Sequence, residues 1–168
     1  MIYVCSLQAL PFEAERIRPQ HVVSLVDPDC QIESPGCVEP ANHLRFFFHD
    51  IAEPAPGYVA PEERDIERLL RFGAAWQATA PILFHCHAGI SRSPAAAFIL
   101  LCQTNDGREA AAAVSLRQAA GHAWPNRRMV AIADRLLRRR GRMVEALRAM
   151  PPPDPTAPGA LISLPARV

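Results

Sequence analysis

A cysteine and an arginine stand six residues apart in the segment HCHAGISRSP, which spans residues 85–94. Five residues lie between Cys86 and Arg92: His87, Ala88, Gly89, Ile90 and Ser91. Small residues let the backbone approach a bound group closely, and successive N–H groups in a turn can converge on an anion. The guanidinium of Arg92 can donate two parallel hydrogen bonds to an oxyanion, which a lysine cannot do. The segment therefore predicts an oxyanion-binding loop with a nucleophilic cysteine.

The residues on either side of this loop predict where it lies in the fold. Residues 81–85 (PILFH) form a compact apolar run typical of a buried strand, and Pro94 suits the first turn of a helix over 94–103. The loop would then join the C-terminal end of a strand to the N-terminus of a helix, the usual anion site of an open α/β sheet. The helix dipole and the loop N–H groups would also stabilise the thiolate of Cys86.

Strand and helix patterns alternate along the rest of the chain. Further strands are predicted at residues 2–5, 21–26 and 44–48. Further helices are predicted at residues 11–18, 62–78, 108–120 and 126–150, the last with a possible break at residues 140–141. This order predicts an α/β fold with a mostly parallel central sheet covered by helices on both faces, with residues 81–85 as its central strand.

The length and composition predict one domain and a distinct C-terminal tail. We expect residues 1–150 to form a single domain, since a chain of 168 residues can bury a core without disulfides or structural metal. Residues 151–168 carry five prolines in their first eight positions, which predicts an exposed, flexible tail.

Charge and cysteine usage restrict the kind of partner and compartment. The formal net charge is only +1 and the charges are scattered, so neither nucleic acid nor an anionic membrane is an expected partner. All 18 basic residues are arginine, which excludes Schiff-base chemistry and a Walker-type lysine. Five cysteines without metal-type spacing and an N-terminus unlike a signal peptide indicate a reducing, cytoplasmic setting, and no metal or cofactor is expected.

The loop resembles the C-x5-R signature of the cysteine-dependent protein tyrosine and dual-specificity phosphatases. Their pattern H-C-x-x-G-x-x-R-[ST] is met at His85, Cys86, Gly89, Arg92 and Ser93, and the general likeness extends over residues 2–150. The resemblance implies that Cys86 attacks phosphorus to form a phosphocysteine. It also implies that Arg92 and the loop amides hold the transition-state oxygens. Ser93 would assist departure of the Cys86 thiolate, and His85 would order the loop from outside the phosphate site.

A phosphatase of this kind also needs a general acid, because an unprotonated alkoxide or phenoxide is a poor leaving group. Asp50 is the main candidate, since it follows the predicted strand 44–48 and precedes a loop rich in proline. Glu53 on the same loop, and Asp27 or Asp29 after the strand 21–26, remain alternatives.

Pro125 and Asn126 form a second point of resemblance. Dual-specificity phosphatases often carry this pair at the start of the last long helix, where the asparagine side chain bonds the signature loop. Asn126 would then brace the loop, although an asparagine at this position is equally suited to cap the helix. The two roles are compatible.

The resemblance implies a phosphomonoester hydrolase, a protein tyrosine phosphatase of the compact dual-specificity type, whose substrate is a phosphorylated protein or small phosphomonoester. Phosphate or sulfate could also occupy the loop. Two alternatives stay open: a phosphatase for a phosphoinositide, an inositol phosphate or an RNA 5′-phosphate, and a module that binds phosphorylated partners without turnover. The variable loop residues His87, Ala88, Ile90 and Ser91 supply no firm positive charge, which disfavours a phosphoinositide.

Overall fold

The structure, a computed structural model, describes residues 1–76, 78–157 and 159–168. Within these residues the sheet has five strands: β1 (Ile2–Ser6), β2 (His21–Val26), β3 (His43–Phe47), β4 (Ile82–Cys86) and β5 (Ile162–Leu164). The spatial order is β3-β2-β4-β1-β5, in which β1 to β4 are parallel and β5 pairs antiparallel with β1. The mostly parallel α/β sheet predicted from the sequence is confirmed, and β4 is its central strand.

Helices cover both faces of this sheet. Those in the described residues are α1 (Leu10–Ile17), α2 (Glu63–Trp76), α3 (Arg92–Thr104), α4 (Glu109–Ala119), α5 (Arg127–Leu136) and α6 (Arg142–Ala149). Helix α1 packs on one face through Leu10 and Ala14, while the other five helices share the larger core on the opposite face. None of the helices in the described residues has the length and hydropathy needed to cross a membrane.

The centre of the fold is the unit formed by β4 and α3. Every residue of β4 is buried, as expected for a parallel strand covered on both faces. Every residue from Arg92 to Cys102 in α3 is buried too, because this helix lies against the sheet and contacts α2, α4 and α5. The turn between β4 and α3 is thus fixed at both ends by deeply buried elements.

The segment predicted as one helix over residues 126–150 is two helices, separated at the expected break. Gly141 has a φ of 87°, which a glycine adopts without strain. The carboxylate of Asp134 accepts hydrogen bonds from the N–H groups of Gly141 at 2.7 Å and Met143 at 2.8 Å. These bonds satisfy backbone donors that the interrupted helix would otherwise leave unpaired. Gln77, at the end of the predicted helix 62–78, lies outside the described residues.

The C-terminal segment differs from its prediction as an exposed, flexible tail. Its last part forms β5, in which Ile162 and Leu164 are buried and Ser163 is exposed. This alternation turns the apolar side chains toward the core, and β5 covers the edge of β1. The Asn105 side chain also bonds the carbonyl of Ala166 at 3.0 Å and the N–H of Val168 at 3.1 Å. The proline content concealed this strand; Pro158, within the same segment, lies outside the described residues.

Candidate active site

The Cys86 thiol lies at the base of the loop between β4 and α3. Its side chain is 2% exposed, and its Sγ accepts hydrogen bonds from the Gly89 N–H at 3.3 Å and from the Ser93 hydroxyl at 3.0 Å. Both donors stabilise a negative charge on sulfur. The loop therefore presents Cys86 in a setting that suits a thiolate nucleophile.

Gly89 allows the loop to lie directly against the end of β1. Its φ is 74°, and a Cβ built there would lie 3.0 Å from the carbonyl carbon and oxygen of Cys5. These are backbone atoms that cannot move aside as a flexible side chain could. A hydrogen bond from the Leu7 N–H to the His87 carbonyl, 3.2 Å long, joins the same two segments. A glycine is thus required by both conformation and space.

Arg92 is held by residues that follow β2 and β3. Its side chain is 4% exposed, and Nη1 donates hydrogen bonds to the carboxylate of Asp27 at 2.6 Å and to the Phe48 carbonyl at 2.7 Å. The same Asp27 carboxylate lies 3.1 Å from Nε2 of His87 in the loop. Among the described residues, the buried Nε of Arg92 has no hydrogen-bond partner. The guanidinium is therefore held in one orientation by two acceptors, and its Nε is left without a partner among these residues.

The carboxylate of Asp50 contacts the end of the loop, at Ser91. Its Oδ1 accepts hydrogen bonds from the Ser91 hydroxyl at 2.7 Å and from the Asn126 amide at 2.8 Å, and its Oδ2 lies 4.0 Å from Nε of Arg92. The Asp50 side chain is 36% exposed, so solvent and substrate can reach it. Both donors contact Oδ1, and Oδ2 accepts no hydrogen bond from the described residues.

The other carboxylates considered from the sequence lie elsewhere. Asp27 is at the loop but is engaged by Arg92 and His87. Asp29 and Glu53 are both exposed, and Glu53 lines a groove beside α5. Asp50 therefore remains the main candidate for the general acid.

Asn126 connects three parts of the site. Its backbone N–H donates to the Ser91 carbonyl at 3.3 Å, and its side-chain oxygen accepts from the Met129 N–H at 3.1 Å, which caps α5. Its amide nitrogen donates to Asp50, and to the Ile51 carbonyl at 3.3 Å. The resemblance implied that this side chain would bond the signature loop. In the structure the backbone does so, and the side chain bonds Asp50 instead.

His85 belongs to a buried chain of polar side chains that crosses the sheet. Its Nε2 lies 2.5 Å from the hydroxyl of Ser24 in β2, and that hydroxyl lies 2.6 Å from Nε2 of His43 in β3. One hydroxyl has one proton, so it donates to one ring and accepts from the other. The chain continues from Nδ1 of His43 to the Ser34 hydroxyl at 3.1 Å. His85 is thereby fixed directly behind Cys86.

Burial keeps both imidazole rings of this chain neutral. It lowers the pKa of His85 to about 3, and the nearby rings of His43 and His87 add to the decrease. It lowers the pKa of His43 to about 4, with a further contribution from Arg45. A neutral ring has one nitrogen that donates a hydrogen bond and one that accepts. One of the two rings can therefore accept from the Ser24 hydroxyl while the other donates to it.

Sequence reasoning missed several residues of this site. Ser24 and His43 lie on strands distant in sequence from the loop. Asp27 was considered only as an alternative acid, whereas it bonds Arg92. An available signal was the position of Ser24, a polar residue inside the apolar run HVVSLV at residues 21–26. A buried polar residue requires a partner, but the sequence does not say which one.

No protein-family model matches the sequence, and no curated protein matches it. Solved structures do match in fold. The PTP-2 phosphatase of Cydia pomonella aligns with a TM-score of 0.63 at 22% identity, over 79% of this chain and 83% of that one. Human DUSP28 aligns with a TM-score of 0.57 at 20% identity, over 88% of this chain and 90% of that one. Tk-PTP in its active form aligns with a TM-score of 0.55 at 20% identity, over 82% and 92%.

These similarities identify the fold. The chain has the α/β fold of the protein tyrosine and dual-specificity phosphatases, as the resemblance of the signature loop implied. The aligned regions cover most of both chains in each case, so the likeness concerns the whole domain and not the loop alone.

Proposed function

We propose that this chain is a cysteine-dependent phosphomonoester hydrolase, a protein tyrosine phosphatase of the compact dual-specificity type. One observation carries the proposal: Cys86 Sγ accepts two hydrogen bonds at the base of a loop that ends in a buried, oriented Arg92. The shared fold supports it independently. A module that only binds phosphate would need neither a stabilised thiolate nor an accessible carboxylic acid such as Asp50.

The first step forms a phosphocysteine. The thiolate of Cys86 attacks phosphorus while the bond from phosphorus to the leaving-group oxygen breaks, and protonated Asp50 gives its proton to that oxygen. The unpartnered Nε of Arg92 and the N–H groups of the loop bind the non-bridging oxygens, where negative charge concentrates in the transition state. The alcohol or phenol then leaves as a neutral molecule.

The second step returns the enzyme to its starting state. Asp50, now a carboxylate, takes a proton from a water molecule whose oxygen attacks phosphorus, and the bond from phosphorus to sulfur breaks. The departing sulfur carries a negative charge that the Ser93 hydroxyl and the Gly89 N–H stabilise at 3.0 and 3.3 Å. Inorganic phosphate is released, and Asp50 is protonated for the next turnover.

The expected ligands of the loop are phosphorylated proteins or small phosphomonoesters, and free phosphate or sulfate. A similar structure, that of a mouse putative dual specificity phosphatase, is complexed with zinc tungstate, and it aligns with a TM-score of 0.58 at 18% identity. Tungstate is a tetrahedral oxyanion like phosphate, which supports the proposal that this chain binds an oxyanion. The non-protein alternatives receive less support, because the loop contains no lysine or additional arginine.

We further propose a cytoplasmic location and partners other than nucleic acid or membranes. All five cysteines are free thiols, which suits a reducing compartment. The net charge of +1 provides no broad attraction to polyanions.

Hydrolysis of para-nitrophenyl phosphate by the wild type, Cys86→Ser and Cys30→Ser tests the proposed function. We expect the Cys86→Ser variant to lose all measurable turnover and the Cys30→Ser variant, altered at a half-buried thiol outside the loop, to keep it. Equal rates for wild type and Cys86→Ser would refute the mechanism. A wild type that binds phosphate without turnover would instead favour the binding module, and a panel of phosphopeptides and phosphoinositides separates the two substrate classes.

A further inference from the structure

A groove of about 810 Å³ opens beside the candidate active site. It lies along α5 and α6, and the residues that follow Asp50 form part of its rim. Apolar side chains make up its floor and walls: Trp124, Ile132, Val144, Leu147 and Met150. Its volume falls in the range of sites that bind ligands of several hundred daltons or a few amino-acid residues.

The groove is connected to the phosphate-binding loop by hydrogen bonds. The backbone N–H of Trp124 donates a 2.8 Å hydrogen bond to the Ile90 carbonyl, and the backbone N–H of Asn126 donates to the Ser91 carbonyl. Ala52 and Glu53, which follow Asp50 by two and three residues, also line the groove. One wall of the groove is therefore attached to the loop that would bind the phosphate.

The groove is positively charged. Four arginines line it, Arg127, Arg128, Arg135 and Arg148, against one carboxylate among the described lining residues, that of Glu53. Arg127 extends over the ring of Trp124, with 5.1 Å from its guanidinium carbon to the ring centre. This contact holds a cation at the end of the groove nearest the loop.

Two of these arginines form ion pairs that a ligand can replace. Arg135 pairs with Glu63 and Arg148 pairs with Glu145, each at 2.7 Å. The side chains in both pairs are 47% exposed or more, and exposed pairs contribute little energy. An acidic ligand can therefore compete for these guanidinium groups at small cost.

We infer that this groove binds the segment of a phosphoprotein substrate that flanks the phosphorylated residue, and that this segment is acidic and carries apolar side chains. The inference rests on the proposed function and narrows its substrate class to proteins. Carboxylates of the segment would meet the arginines, and its apolar side chains would cover Leu147, Val144 and Trp124. A small phosphomonoester does not extend beyond the loop and would gain nothing from the groove.

The test compares two phosphotyrosine peptides, one flanked by glutamate and leucine residues and one with each glutamate replaced by glutamine. We expect the wild type to show a kcat/KM about tenfold higher for the acidic peptide, through a lower KM, which corresponds to two or three surface charge interactions. The double variant Arg127→Glu/Arg148→Glu should reduce this ratio to about one. Arg16→Glu reverses a charge on α1, on the opposite face of the sheet, and should keep the ratio.

The readouts separate this inference from the proposed function. If the wild type hydrolyses neither peptide nor para-nitrophenyl phosphate, the proposed function fails. Fluorescence anisotropy with the unphosphorylated acidic peptide then still tests the groove. If the charge-reversed double variant does not fold, Arg127→Gln/Arg148→Gln replaces it.

Three results would overturn the inference. The first is equal kcat/KM for the two peptides, or a preference that survives in the double variant. The second is a dimer in sedimentation experiments that the double variant abolishes, which would make the groove an interface between copies of the chain. The third is a loss of binding to phosphoinositide vesicles in the double variant without any change toward the two peptides. That result would assign the groove to lipid.

Discussion

The side-chain amide of Asn126 donates a 2.8 Å hydrogen bond to Oδ1 of Asp50, while its carbonyl oxygen caps α5 through the N–H of Met129. The two residues are 76 positions apart in sequence. One asparagine thus fixes the orientation of the proposed general acid and the start of the helix beside it. Substitutions can separate these two roles, because the cap needs an acceptor and the acid needs a donor.

Asn126→Ser retains a capping oxygen but removes the amide that reaches Asp50. We expect its free energy of unfolding to stay near that of the wild type and its kcat to fall about tenfold, as for loss of one positioning hydrogen bond. Asn126→Ala should lose the cap as well and destabilise the protein by about 1 kcal/mol. Urea unfolding measures the first effect, and kinetics with phosphotyrosine, whose leaving group needs the acid, measure the second. Equal kcat in Asn126→Ser and wild type would contradict the positioning role.

Asp50→Asn removes the proton that the leaving group requires. With an alkyl phosphate or phosphotyrosine substrate we expect kcat to fall by about 10²- to 10⁴-fold and the dependence of kcat on a protonated acid to disappear. An activated leaving group such as para-nitrophenol should show a much smaller loss, since it departs more readily unprotonated. Glu53→Gln and Asp27→Asn serve as controls, and both should retain the acidic-group dependence. If the dependence on an acidic group disappeared in one of these controls and persisted in Asp50→Asn, the residue changed in that control would be the acid.

Asp27 balances the charge of Arg92 when no phosphate is bound. Asp27→Ala leaves the buried guanidinium without its carboxylate, and we expect a loss of stability of about 1–3 kcal/mol. Phosphate bound in the loop lies next to the same guanidinium and offsets part of its charge, so it should raise the melting temperature of Asp27→Ala more than that of the wild type. Thermal unfolding with and without phosphate gives both values. Asp29→Ala, altered at an exposed carboxylate of the same turn, is the control and should resemble the wild type.

The local elements of the site were predictable because each has a strong signal within a few residues. The apolar run at residues 81–85, the small residues of the loop and Pro94 were enough to place Cys86 where β4 ends and the loop to α3 begins. The connections across the sheet were not, because they depend on the strand order. The pairing of β2 with both β3 and β4 brings Ser24 next to His85, and Asp27 near Arg92. The strand β5 was missed because three residues of alternating pattern followed a proline-rich segment.

Gly89→Ala tests whether the close approach of the loop to β1 matters for activity. The added methyl group would lie 3.0 Å from backbone atoms of Cys5, so the loop must shift. We expect a large loss of kcat/KM, at least about 100-fold, because the oxyanion donors would no longer converge. Gly107→Ala is the matched control, since its φ of 77° is similar but nothing lies within 4 Å of the new methyl group. It should cost about 1 kcal/mol of stability and leave kcat/KM unchanged.

The buried rings of His85 and His43 make stability depend on pH in a defined direction. Burial lowers their pKa values to about 3 and about 4 from an ordinary value of 6.5. As the pH falls from 6.5 to 5, the unfolded chain binds protons at both positions and the folded chain does not. The free energy of unfolding should therefore fall by up to about 1.4 kcal/mol per pH unit for each ring. In urea titrations, His43→Gln should remove about half of this histidine contribution, and an unchanged slope would show that His43 is not held neutral.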